Sequence, residues 1–160
     1  MKFRTGFGYD VHQLAEGFSL NLGGIIIPHT KGTVGHSDAD VLIHAICDSL
    51  LGAAAARDIG HHFPDTDKKY KGIDSKILLA ETLNIITRKG FSIGNIDCTV
   101  CLQQPKINPY IPEIALVLAN VLKIAPDQIN IKATTTEKMG YVGQEEGVAC
   151  YATCLIESNQ

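Results

Sequence analysis

No stretch of the sequence concentrates positive charge. Lys and Arg number 14 against 17 Asp and Glu, for a net charge of −3. A nucleic-acid or anionic-membrane binder presents a basic patch, so those partners are excluded as the primary ligands. Uninterrupted apolar runs reach only a few residues, far short of the ~20 that a membrane-spanning helix requires. The start, Met1-Lys2-Phe3-Arg4-Thr5, lacks the apolar core and cleavage site of a secretory signal, which predicts a soluble, cytoplasmic protein. No linker, low-complexity tract or internal repeat interrupts the chain, and 160 residues suit one domain over 1–160. The five cysteines are an odd number, against a disulfide framework. Cys98 and Cys101 sit three apart in a strand-like run and so point to opposite faces, and all five thiols read as small, reduced core fillers.

What is present is globular: 45% hydrophobic and 19% charged residues, enough for a sizeable core. Phe3 to His12 reads as a strand with Phe3, Thr5, Phe7 and Tyr9 on one face. Two short strands, 20–22 and 25–27, flank Gly23-Gly24. Ser37 or Asp38 is placed to cap a buried helix to about Ala56. Gly60 to Gly72 reads as a loop. Asp74 or Ser75 caps a helix to about Lys89, with Gly90 as its stop. Ile93 to Gln103 is a strand, and Asn108-Pro109 opens a helix ending near Lys123. Strands follow at Ile129–Thr134 and Gly147–Glu157. The order gives an α+β domain, a sheet with helices packed on one face. The final strand is apolar on both faces, so the face away from the helices needs a cover, which a homo-oligomer would supply.

Four segments carry chemistry. Asp10 and His12 leave the same face of a strand, and His44 lies in an apolar helix. Two His and one carboxylate suit a zinc ion with an open fourth position. The plainer alternative is a turn-capping Asp10 and a satisfied core histidine. Asp40 and Asp48, four residues either side of His44, are candidates to hold its second nitrogen. Gly35 to Asp40 precedes the helix, so its backbone amides with His36 and Ser37 form either a phosphate cradle or an ordinary capping turn. The loop Asp58-Ile59-Gly60-His61-His62-Phe63-Pro64-Asp65-Thr66-Asp67 gathers carboxylates, histidines and an aromatic, reading equally as a polar-ligand loop or as solvated surface. Lys132 to Gly140 ends a strand in Thr134, Thr135, Thr136 and Glu137, either a plain strand end or a site for phosphate and a hard cation such as Mg²⁺. Together they point to diphosphate chemistry.

These residues resemble the 2-C-methyl-D-erythritol 2,4-cyclodiphosphate synthase family. The resemblance runs from Gly6-Phe7-Gly8-Tyr9-Asp10-Val11-His12 through His36-Ser37-Asp38-Ala39-Asp40, Leu51-Gly52-Ala53-Ala54, Asp58-Ile59-Gly60 and Phe63-Pro64-Asp65-Thr66-Asp67 to Ala133-Thr134-Thr135-Thr136-Glu137-Lys138, in the family's order. It implies a homotrimer, its sheets turned toward the threefold axis and its active sites at subunit interfaces. It also implies a lyase of the non-mevalonate isoprenoid route. There the 2-phosphate of 4-diphosphocytidyl-2-C-methyl-D-erythritol 2-phosphate attacks the β-phosphorus, closing the cyclic diphosphate and expelling CMP. By the resemblance, Asp10, His12 and His44 bind Zn²⁺ and Glu137 binds Mg²⁺ or Mn²⁺. His36 and Thr135 match transition-state stabilisers, and Ser37 lies near phosphate. Asp58, Ile59, Gly60, Phe63, Pro64, Asp65, Thr66 and Asp67 match the segment gripping the methylerythritol. The cytidine pocket corresponds to Leu102, Gln103, Gln104, Pro105, Lys106, Ile107 and Asn108 together with Ala133, Thr134, Thr135 and Thr136.

Departures from the family pattern are informative. Ala39 and Arg57 stand where Gly is usual. Gln144 replaces an Arg that, in many members, lines the trimer's central cavity and is associated with isoprenoid diphosphates. With Gln144 neutral beside Glu145 and Glu146, and Tyr9 and Tyr141 adding hydroxyls, the expectation is weak or absent anion binding on the axis. Two rival functions remain: a zinc phosphohydrolase using the same triad to activate water, and a non-catalytic trimeric nucleotide-binding protein.

Overall fold

The fold is built around one long strand and one buried helix, seen in a computed structural model that describes residues 2–159. Strand β1 (Phe3–Glu16) alternates strictly, sending Gly6, Gly8, Asp10, His12 and Leu14 toward the helices and Phe3, Phe7, Tyr9 and Val11 outward. The hairpin β2 (Leu20–Leu22) and β3 (Ile25–Ile27) forms around Gly23-Gly24 as the sequence indicates. Strand β4 (Lys31–Val34), which the sequence reading missed, pairs antiparallel with the far end of β1, Glu16 opposite Lys31 and Gln13 opposite Val34. It is four residues long with a glycine inside, too short for alternation to register.

Helix α1 (Val41–Ala53) is capped by Asp40, not by Ser37 or Asp38, because Ala39 takes a left-handed φ of 58° and postpones the first turn. It stops short of Ala56, since Ala55 is again left-handed. Its least buried stripe is His44, Asp48 and Gly52, four residues apart. The segment read as a loop holds a single turn, α2 (Ile59–His62), and a 3₁₀ turn at Lys68–Tyr70. Helix α3 (Ser75–Arg88) is capped by Asp74 and ends at Gly90, φ 83°. After β5 (Phe91–Cys101), a 3₁₀ turn over Asn108–Tyr110 precedes α4 (Ile111–Leu122). Asn108 does not cap that helix. It is instead the first residue of the 3₁₀ turn, followed by Pro109, and α4 starts only at Ile111, with Tyr110 at its N-cap and Pro112 in its first turn.

Strand β6 (Ile129–Thr134), the single turn α5 (Gly140–Gly143) and β7 (Gly147–Ser158) complete the chain. The five-stranded sheet runs β4-β1-β7-β5-β6, antiparallel except for the parallel pair β5–β6, so it is mixed. In β7, Cys150 and Val148 lie opposite Asp10 and His12. The core is aliphatic, with Leu42, Ile43, Ile46, Leu50, Leu79 and Ile114 fully buried between α1, the other helices and one sheet face. All five cysteines are free thiols, and burial pushes Cys47 and Cys98 up to about 12. The opposite face leaves aromatics open, Phe7 at 62% exposure, with Tyr151 between Phe7 and Tyr9 at ring separations of 6.2 and 5.1 Å. Among the described residues no helix is long and apolar enough to cross a membrane.

Candidate metal and phosphate site

Glycines at positions 6 and 8 let α1 lie directly on β1, and that contact assembles the site. A Cβ on Gly8 would stand 1.9 Å from the Ala45 carbonyl oxygen, the residue next to His44. With no side chain there, His44 reaches the inward row of the strand. Asp10 Oδ2 lies 2.9 Å from His12 Nε2 and 3.1 Å from His44 Nδ1, and the two ring nitrogens are 3.2 Å apart. This triangle is the one such cluster among the described residues. A tetrahedral ion with bonds of about 2.0–2.1 Å needs its donors about 3.3 Å apart. The triangle therefore has to open by only a few tenths of an ångström, and two imidazoles with one carboxylate are a donor set that a metal such as zinc takes.

The electrostatics fit a cation. Burial alone would raise the Asp10 carboxyl, but its hydrogen bonds to His12 and His44 and their charge outweigh burial and hold it at about 2. Burial would lower His12, yet Asp10 and the Val34 carbonyl raise it overall. Val34, on the strand β4 that the sequence reading missed, accepts from His12 Nδ1 at 3.0 Å and so turns Nε2 toward the triangle.

Neither Asp40 nor Asp48 holds the second nitrogen of His44. The fully buried Asp40 carboxylate accepts from the backbone N–H groups of Gly23, Gly24 and Ile43, tying the hairpin to the start of α1. Asp48 accepts from Ile59 N at 2.7 Å and anchors α2. His44 Nε2 instead meets Ser75 Oγ at 3.0 Å and Ser37 Oγ at 3.2 Å. The sequence marks Ser75 only as a capping residue. Its role depends on α3 starting against α1, a contact between elements that spacing does not reveal.

The triangle opens into a cavity of about 370 Å³ lined by His12, His36, Ser37, His44, Ile59, Gly60, Phe63, Pro64, Asp65, Tyr70 and Leu78. Tyr70 packs edge-on to Phe63 at 5.6 Å, and neither it nor Leu78 was singled out from the sequence. Asp58 and Asp67 are caps, accepting from His61 N and Lys69 N; they and Thr66 are not in the cavity wall. The segment behaves as the capping turn rather than the backbone cradle, because the amides of Asp38, Ala39 and Asp40 are already used, on Ile73 O ahead of α3 and on Ser37 Oγ and Asp38 Oδ1 within the turn. The side chains of His36 and Ser37, not these amides, face the cavity.

A second cavity, about 230 Å³, is lined by Leu102, Gln103, Pro105, Lys106, Ile107, Asn108, Ala133, Thr134 and Thr135; Gln104 stands outside it. Beside it, Glu137 and Lys138 both have left-handed backbones. Thr135 Oγ1 accepts from Glu137 N at 3.2 Å, and Gln103 Oε1 accepts from Lys138 N at 3.2 Å. Thr136 donates to Met139 O, holding the turn. Gln144 Nε2 donates to Lys138 O at 2.9 Å, so its amide braces this loop. Tyr141 meets Tyr9 across a 3.3 Å hydroxyl contact that, with burial, pushes its phenol up to about 12. Neither Tyr141 nor Gln144 lines either cavity, and the two cavities share no residue.

Comparison with known proteins places the whole chain in one family. The YgbB family model matches residues 3–157. A protein of Phocaeicola vulgatus named 2-C-methyl-D-erythritol 2,4-cyclodiphosphate synthase is 60% identical over 157 residues, 98% of each chain. One of Bacteroides fragilis with the same name is 61% identical over 156 residues, again 98% of each. Among solved structures, the IspF–CDP complex of Plasmodium falciparum superposes with a TM-score of 0.87 at 35% identity, covering 99% of this chain and 98% of that one. The bifunctional IspDF of Campylobacter jejuni gives a TM-score of 0.95 at 39% identity over 98% of this chain, which spans 42% of that longer one. The chain therefore belongs to the YgbB family, within the group that holds the 2-C-methyl-D-erythritol 2,4-cyclodiphosphate synthases.

Proposed function

We propose that this protein, as one domain over residues 1–160, is a cytoplasmic phosphorus–oxygen lyase of isoprenoid precursor biosynthesis. It converts 4-diphosphocytidyl-2-C-methyl-D-erythritol 2-phosphate to the 2,4-cyclodiphosphate and CMP. The observation that carries this reading is the Asp10–His12–His44 triangle opening into a cavity walled by His36, Ser37 and Asp65. In the reaction, an oxygen of the 2-phosphate forms a bond to the β-phosphorus. The bond from that phosphorus to the bridging oxygen breaks, and CMP departs with the electron pair. The nucleophile is already an anion, so no activated water is required.

The chain's task is to hold anionic groups in line and to neutralise the charge that gathers on the leaving phosphate. A zinc ion held by Asp10, His12 and His44, with Mg²⁺ or Mn²⁺ on Glu137, would supply Lewis-acid polarisation and charge neutralisation. Glu137 offers one carboxylate, which suits a cation that takes most of its remaining ligands from water and diphosphate oxygens. His36, Ser37 and Thr135 donate to phosphoryl oxygens. Asp65 in the cavity wall accepts from the methylerythritol hydroxyls, Asp58 at the edge beside Ile59 and Gly60 offers the oxygen that its cap on His61 leaves over, and Phe63 and Tyr70 exclude water. The cavity between Leu102 and Asn108 with Ala133 to Thr136 takes the cytidine.

The metal-side cavity and the cytidine-side cavity are separate within one chain. A homotrimer that covers the aromatic sheet face joins one cavity of each subunit to the other cavity of its neighbour. Sedimentation of the purified protein as a trimer tests the assembly. Chromatography of the products tests the chemistry. CMP with a cyclic diphosphate is the expected pair. An opened monophosphate would identify a phosphohydrolase, and bound but unchanged nucleotide a binding protein.

A further inference from the structure

The two imidazoles of the triangle are oriented by different means. His12 gives Nδ1–H to a backbone carbonyl, which can only accept. His44 turns Nε2 toward two hydroxyls, Ser75 Oγ at 3.0 Å and Ser37 Oγ at 3.2 Å. A hydroxyl can donate or accept, so these two contacts alone leave the His44 tautomer open.

The next layer of contacts closes the question. Ser75 is fully buried as the first residue of α3, and its single hydroxyl proton goes to Asp38 Oδ1. The Asp38 carboxylate also accepts from Ser75 N at 3.0 Å and Asp40 N at 3.2 Å. With its proton committed, Ser75 Oγ faces His44 with a lone pair, and the proton in that contact belongs to His44 Nε2. In the zinc-loaded protein Nδ1 then carries no proton and faces Asp10 Oδ2 and His12 Nε2 as a ligand atom; its 3.1 Å contact with Asp10 is a hydrogen bond only where Nδ1 is protonated, before the metal binds. Ser37 Oγ accepts from Ala39 N at 3.1 Å and faces the same His44 proton, which leaves its own hydroxyl proton for the cavity that it lines.

We propose that Asp38 and Ser75 form a positioning relay that locks His44 as its Nε2–H tautomer, aims Nδ1 at the metal, and frees the Ser37 hydroxyl to donate to a phosphate oxygen. The inference rests on the metal reading of the triangle.

The test uses ¹⁵N-labelled, zinc-loaded wild-type protein. NMR should place the metal on His44 Nδ1 and show an Nε2 proton protected from exchange with water. In Ser75→Ala, where alanine suits the helix, that protection should vanish. Zinc affinity, read by chelator competition, should fall about 10–100-fold. A purely structural Ser75 would lower the melting temperature and leave both readouts unchanged. Metal on Nε2, or a freely exchanging Nε2 proton in the wild type, overturns the relay whether or not the variant folds. So does wild-type zinc affinity in Ser75→Ala. Absence of zinc binding by the wild type would instead bring down the metal reading beneath it.

Discussion

Replacing Gly8 by alanine tests the link between the fold and the site. The added Cβ would stand 1.9 Å from Ala45 O, 2.8 Å from Ser49 N and 2.9 Å from Ala45 C, all backbone of α1. A carbon and a carbonyl oxygen come no closer than about 3.3 Å. The helix and strand must therefore part by about 1.4 Å, since backbone cannot swing aside as a side-chain tip can. His44 moves with Ala45. Its edges of the donor triangle, now 3.1 and 3.2 Å, would widen past about 4 Å, beyond the ~3.3 Å that a tetrahedral ion spans. We expect zinc affinity to fall by more than the 10–100-fold typical of losing a ligand's hydrogen-bond partner, with about 1–3 kcal/mol of stability lost. Chelator competition and urea unfolding of the metal-free protein read these separately. Gly52→Ala is the control: it lies on α1 with nothing within 4 Å, and should stabilise by about 0.5–1 kcal/mol. Undiminished zinc affinity in Gly8→Ala would refute the claim that this close approach sets the site.

His44→Ala should lose zinc and nearly all activity while its helix persists, as circular dichroism and metal analysis would show; full zinc stoichiometry would overturn the ligand assignment. Glu137→Gln should retain zinc and lose most of its dependence on added Mg²⁺, measured by titrating activity with the cation. In the metal-free protein, Asp10 is depressed from 3.8 to about 2, so its contribution, about 2 kcal/mol, is present above pH ~4 and lost as pH falls toward 2. His12 is raised, so its share is present below its unfolded value and lost as pH rises through the folded one. The stability difference between wild type and Asp10→Asn should therefore shrink on acidification below pH ~4, and a difference independent of pH there would refute the assignment. Farnesyl diphosphate titrated into the purified protein should bind weakly or not at all, because Gln144 is neutral and engaged with Lys138 O; sub-micromolar binding would contradict this.

Much of this was legible because periodicity reports faces. Alternation in β1 put Asp10 and His12 on one side, and the apolar surroundings of His44 marked a helix buried against that side. What stayed hidden was set by contacts between elements distant in sequence. Val34 and Ser75 orient the two histidines, yet one sits in a four-residue strand and the other looks like an ordinary helix start. Asp40 and Asp48 had the right helical spacing to hold His44, but unpaired backbone amides of Gly23, Gly24, Ile43 and Ile59 claim them instead. Buried N–H groups need acceptors, and that demand outranked the i,i+4 geometry. The turn at Ala39 is invisible in the sequence because a left-handed alanine leaves no mark in a hydropathy pattern.

The most direct measurement is ³¹P NMR of the purified protein with 4-diphosphocytidyl-2-C-methyl-D-erythritol 2-phosphate and Mg²⁺, with and without a zinc chelator. Coupled resonances of a cyclic diphosphate rising together with CMP, and suppressed by the chelator, are the predicted result. Unchanged substrate under zinc-replete conditions, or an opened monophosphate in place of the ring, would contradict the account.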